Sequence, residues 1–120
     1  MPAPLPPVSV FGRRLRVARR VAGLSQVELG ALLGMNEKSA SSRLSRYERG
    51  EREPDYETLA ALSEALGVPP AYFHASSDVL AEVILLVARL PEDRQNGVLE
   101  AIKDHLKQSG EVPGEEHPNE

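Results

Sequence analysis

The 120-residue sequence contains no cysteine and no tryptophan, and its aromatic residues are two Phe and three Tyr. Without cysteine there is no disulfide framework and no thiolate zinc site. Long hydrophobic runs are missing too. The longest stretch of large aliphatic residues, Val83 to Val87, falls far short of the roughly 20 residues of a membrane-spanning helix. Met1 to Pro7 holds four prolines and no apolar core segment, so no secretory signal is expected and the expected compartment is the cytoplasm. There is no Gly-rich phosphate loop and no paired-carboxylate constellation. His74, His105 and His117 are too scattered for a metal site. Ser39, Ser41, Ser42 and Ser45 have no His or Lys spaced to activate them, so neither catalysis nor a cofactor is expected.

What is present fits one soluble helical domain with additions. Hydrophobic residues make up 41% and charged residues 27%, which argues against wholesale disorder. The net charge of −4 hides a division: residues 1–50 sum to +6, and residues 51–120 to −10. A basic half joined to an acidic half is what a polyanion-binding face on a soluble body looks like. Two differently solvated sets of helix faces would give the same sums.

Apolar residues recur at helical spacing, and no alternating strand pattern is found. A first helix is expected from Val10 to Ala22, with Ser9 as N-cap and Phe11, Leu15, Ala18 and Ala22 on its core stripe. Arg13, Arg16 and Arg20 fall on a solvent flank. Arg19 falls beside the apolar stripe and needs a partner, because an unpaired buried ion is costly. A membrane-surface role for these arginines is disfavoured by an alanine-rich apolar side. Ser25-Gln26-Val27-Glu28 is a capping box, with Leu24 and Leu29 placed as its hydrophobic staple. It opens a short second helix that ends near Leu33, where Gly34 supplies a left-handed residue and Gly30 permits close backbone approach.

The third helix is expected from an Asn36 cap to Arg49, with Ala40, Leu44 and Tyr47 facing inward. Its outer face carries Lys38, Ser42, Ser45, Arg46 and Arg49. Small hydroxyls let a helix sit deep in the major groove, and cations reach phosphates or guanine edges. Glu48 lies near the core side and is the expected partner of Arg19. A fourth helix should run from Tyr56 to Leu66 with Asp55 as cap, followed by a short fifth at Pro69 to Phe73. A sixth, Asp78 to Arg89, presents Leu80, Val83, Ile84, Val87 and Leu90. The seventh has Pro91 at its first position and Val98, Leu99, Ile102 and Leu106 on its apolar side.

The motifs Phe11-Gly12-Arg13-Arg14-Leu15-Arg16, Gly23-Leu24-Ser25-Gln26-Val27-Glu28-Leu29 and Leu33-Gly34 occur in that order. They are followed by Leu44-Ser45-Arg46-Tyr47-Glu48-Arg49-Gly50, Pro54-Asp55, and Leu59 through Leu66-Gly67-Val68. With them, residues 11–73 resemble the Cro/C1-type (XRE-type) helix-turn-helix domain of bacterial and phage repressors. The resemblance implies an all-α, five-helix lambda-repressor-like fold that binds double-stranded DNA. It implies a phosphate-contacting, base-supporting role for Gln26 and base-facing positions for Ser41, Ser42, Ser45 and Arg46. Arg43 and Arg52 match positions that touch the backbone, and Arg19 and Glu48 match a structural ion pair. Gly34 to Tyr47 is about four residues longer than the usual spacing. Either the third helix gains a turn, making Lys38 and Ser39 further DNA-contact candidates, or the connecting turn bulges.

The expected organisation is therefore a disordered proline-rich arm over residues 1–8 and a helix-turn-helix domain over 9–75. A helical hairpin over 76–108 and a disordered acidic tail over 109–120 follow. Neither hairpin stripe can be buried by the hairpin alone, so it must pack on the first five helices or on a second subunit, and Leu80, Val83, Ile84, Val87, Leu99, Ile102 and Leu106 are expected to dimerise the protein. Two functions remain open. One is a transcriptional repressor binding palindromic operators as a homodimer. The other is an antitoxin-like autoregulator whose acidic C-terminal half binds a partner protein.

Overall fold

Each of the first four helices begins where a short polar side chain takes up backbone N–H groups that the helix leaves unpaired. The computed structural model describes residues 9–111, all helix and connecting turn. Ser9 Oγ accepts from the Gly12 N–H at 2.9 Å and opens α1 (Val10–Val21). Ser25 and Glu28 form the reciprocal capping box of α2 (Gln26–Leu32), at 3.0 and 2.8 Å. Asn36 Oδ1 accepts from the Lys38 N–H and opens α3 (Glu37–Glu48). Asp55 does the same for α4 (Tyr56–Leu66) through the Thr58 N–H. The expected caps are all in place.

The lengthened Gly34–Tyr47 stretch is settled by α3 itself, which is continuous from Glu37 to Glu48. The extra residues form helix, and the turn does not bulge. Gly34, at φ 80°, supplies the left-handed residue between α2 and α3. The short fifth helix is a 3-10 turn at Pro70–His74, and α5 (Asp78–Ala88) and α6 (Glu92–Gln108) follow. Pro91 caps α6 from outside rather than occupying its first position. Ser109 to Glu111, read as the start of an acidic tail, instead close α6, with the Glu111 N–H donating to Leu106 O at 2.7 Å. The proline-rich arm and the remainder of that tail, 112–120, lie outside the described residues.

The chain divides into two compact units, one ending at Leu85 and the other beginning at Leu86. The first therefore takes in most of α5, so the expected boundary between domain and hairpin at residue 76 moves to within that helix. Its core holds Leu15, Leu29, Leu44, Leu62 and Phe73 with no exposed surface, together with Phe11, Tyr47 and Tyr72. Each such side chain stabilises the fold by about 1.5–3 kcal/mol. Phe11 and Phe73 stack at a tilt with centroids 5.2 Å apart. Ala81 is buried in the same core, and Ile84 and Leu85 pack against it.

Two glycines set how closely the helices approach. A Cβ on Gly30 would lie 2.4 Å from Ala40 Cβ, so only a bare backbone lets α2 meet α3 there. A Cβ on Gly12 would lie 2.1 Å from Glu48 O, which seats α1 against the end of α3.

In the second unit, Gln95 Nε2 donates to Val87 O and Leu90 O, both at 3.0 Å. Val87 O also accepts from the Leu90 N–H, so the amide adds a second bond there and pairs the Leu90 carbonyl past the end of α5, holding the turn into α6. None of the residues of α6 is buried.

Candidate nucleic-acid interface

The site is assembled around one carboxylate that the packing of α1 on α3 removes from water. Glu48 has no exposed surface. Arg19 reaches it with Nε at 2.6 Å and Nη2 at 3.1 Å, and Arg16 Nε with a longer contact of 3.3 Å. Arg19 Nη1 also donates to Leu24 O, tying α1 to the residue before the α2 cap. The expected Arg19–Glu48 pair is present. Arg16, placed on the solvent flank by the sequence pattern, is a second partner and only 14% exposed.

Gln26 joins this network from α2. Its Nε2 donates to Glu48 Oε1 at 3.2 Å, and its Oε1 accepts from Ser41 Oγ at 2.9 Å. The buried ion cluster is thus connected through one amide to the surface of α3. Arg16, Arg19, Arg20, Ser25, Gln26, Ser45, Glu48 and Arg49 line a cavity of about 460 Å³ that opens beside Gln26.

Along α3, Lys38, Ser41, Ser42, Arg43 and Arg46 are exposed, and Ser39, Ser45 and Arg49 are half-buried. Ser39 Oγ donates to Asn36 O, so this hydroxyl is engaged in the first turn of its own helix. Arg43 Nη2 donates to the Tyr47 hydroxyl at 3.2 Å. Arg52 lies exposed beyond α3. Thr58 hydrogen bonds, with smaller help from the charges of Arg43 and Arg52, hold the Asp55 carboxyl below its ordinary value.

Residues 10–74 match the family model described as "Helix-turn-helix domain", which is over half of the chain. The chain belongs to the helix-turn-helix domain family. This agrees with the Cro/C1-type resemblance carried by the capping-box and Tyr47-Glu48 motifs. Among similar proteins, Repressor protein C2 of Salmonella phage P22 is 36% identical over 63 residues, 52% of this chain and 27% of that protein. The HTH-type transcriptional regulator ImmR of Bacillus subtilis (strain 168) is 37% identical over 69 residues, 58% of this chain and 51% of its own. The chain thus spans about a quarter and about half of the lengths of these two relatives. The crystal structure of the transcriptional regulator BswR superposes with a TM-score of 0.72 at 41% identity. That match covers 81% of this chain and 96% of the other.

The helix-turn-helix unit also depends on a residue to which the sequence pattern gave no role. Arg14 is 3% exposed, with Nε donating to Ala75 O at 3.0 Å and Nη1 to Asp78 Oδ1 at 2.7 Å. Hydrogen bonding to Arg14 and its charge, with a smaller contribution from Arg13, hold the Asp78 carboxyl below its usual value. One signal was available: Arg14 flanks the Phe11–Leu15–Ala18 stripe on the side opposite Arg19, as near to it by helical geometry. Of the apolar residues expected to dimerise the protein, Ile84 packs against the core of the first unit. Leu80, Val83, Leu99 and Ile102 are exposed, at 42–47%, and Val87 and Leu106 are half-buried.

Proposed function

We propose that this helix-turn-helix protein is a DNA-binding transcription regulator, a repressor that binds palindromic operators as a homodimer. The observation that carries the reading is α3 itself. Lys38, Ser41, Ser42, Arg43 and Arg46 stand exposed together on a helix locked to α2 by the Glu48–Gln26–Ser41 bonds. A recognition helix enters the major groove with short polar groups against base edges and cations against phosphates. Arg46 is the residue assigned to a base edge, while Arg43 and Arg52 are assigned to the backbone. Lys38 and Gln26 add phosphate contacts at either side of the helix-turn-helix.

The homodimer is supported by apolar surface left uncovered: Leu80 and Val83 in the first unit, and Leu86, Leu99 and Ile102 in the second. Self-association through either unit would give the protein two recognition helices, one for each half of a palindrome. The test is to capture fragmented genomic DNA of the source organism on the purified protein at near-physiological salt and sequence it. Enrichment of a few palindromic sites is expected. Flat recovery would refute base reading by this protein alone and redirect attention to a protein partner.

A further inference from the structure

The hydrogen bonds joining the core to the surface of α3 run in one direction only. The Glu48 carboxylate, ion-paired with Arg19 and Arg16, accepts and has no proton to give. Gln26 must therefore turn its Nε2 toward Glu48, which leaves its Oε1 facing Ser41. Amide orientation is often ambiguous, but here the buried acceptor decides it. Oε1 can only accept, so the Ser41 hydroxyl donates to it at 2.9 Å. A serine hydroxyl has a single proton. Ser41 is exposed, so what it offers outward is lone pairs alone.

We propose that Ser41 reads DNA as an obligate acceptor, taking a hydrogen bond from an exocyclic amino group, N6 of adenine or N4 of cytosine. It has no proton for thymine O4 or guanine O6. This assignment rests on the base-reading function above and supplies the chemistry of one contact. Glu48 and Gln26 are positioning residues, because they commit the hydroxyl proton without touching the base through this route. Every base pair carries one such amino group in the major groove, on one strand only. Ser41 thus fixes which strand holds the amino-bearing base at its position.

The experiment is a selection from a randomised duplex pool with the full chain and with Ser41→Ala, followed by atom-specific base replacement. The selected motif should contain one position per half-site that Ser41→Ala relaxes by about fivefold, the worth of one hydrogen bond. At that position, purine in place of adenine, or 2-pyrimidinone in place of cytosine, removes only the amino group. Either replacement should weaken the unmodified protein about fivefold and leave Ser41→Ala unaffected. A motif untouched by Ser41→Ala overturns the proposal. So does an amino-less base that is tolerated where removal of the opposing keto oxygen is not. A pool yielding no motif at all defeats the base-reading function itself, a separate failure.

Discussion

Replacing Glu48 with Ala leaves two guanidinium groups facing a buried hole. Breaking a buried ion pair by removing one partner costs about 3–5 kcal/mol, most of it the penalty for the orphaned charge. Arg16 and Arg19 keep 14% and 12% of their side-chain surface, so water reaches part of each cation and the lower end applies, about 3 kcal/mol. In a domain of this size 1 kcal/mol moves Tm by about 4–8 °C, so the melting temperature should fall by at least about 12 °C. Urea and thermal unfolding followed by circular dichroism measure this directly, and an unchanged m value would show that the unfolded state is not responsible. Glu48→Gln is the control, because it keeps the volume and one acceptor for Gln26. A Glu48→Ala loss below about 1 kcal/mol would refute the reasoning, since a buried carboxylate with three partners cannot be worth so little.

Other outcomes follow from the same contacts. Gly30→Ala should destabilise by about 1–3 kcal/mol, because its methyl would meet Ala40 Cβ, and an unchanged urea midpoint would contradict the close α2–α3 approach. Arg46→Ala should cost about 1–3 kcal/mol of operator affinity and relax one base position. Arg52→Ala should weaken all sequences alike and flatten the salt slope. Equal loss on every duplex would remove Arg46 from base reading. Asp78 is held below its ordinary carboxyl value, so its stabilisation is present above the unfolded value of about 3.9 and is lost as pH falls through the lower folded one. Acid unfolding of Asp78→Asn should lack this loss, and identical acid limbs for the two proteins would deny the Arg14 link. A chain ending at Ser76 should melt well below the intact protein, having lost Asp78 and the core residue Ala81, whereas one ending at Leu90 should keep the first unit folded and sediment as a monomer. A dimer from the shorter of these two would exclude α5 and α6 from self-association.

Helix beginnings, the two-turn α2 and the inward faces of α1 and α3 were legible from the sequence alone. A cap joins residues two or three apart, and a helical stripe repeats within a few turns, so both are written locally. The Arg19–Glu48 pair was legible for a related reason: each residue lies close to an apolar stripe and carries a charge that demands an opposite one. Arg14 lies as near the α1 stripe as Arg19 and so shows that it needs a partner, but neither for it nor for Arg16 does the local pattern say which partner that is. Arg16 enters the Glu48 cluster only because Gly12 lets α1 lie against the end of α3. Arg14 meets Ala75 and Asp78, more than 60 residues away, only after the 3-10 turn has brought α5 back onto α1. The same return fold decides that Ala81, Ile84 and Leu85 join the core while Leu80 and Val83 stay exposed, although all five lie on one amphipathic helix. Helical periodicity identifies an apolar face, but which part of that face is covered depends on the position of distant elements, and tertiary packing alone supplies it.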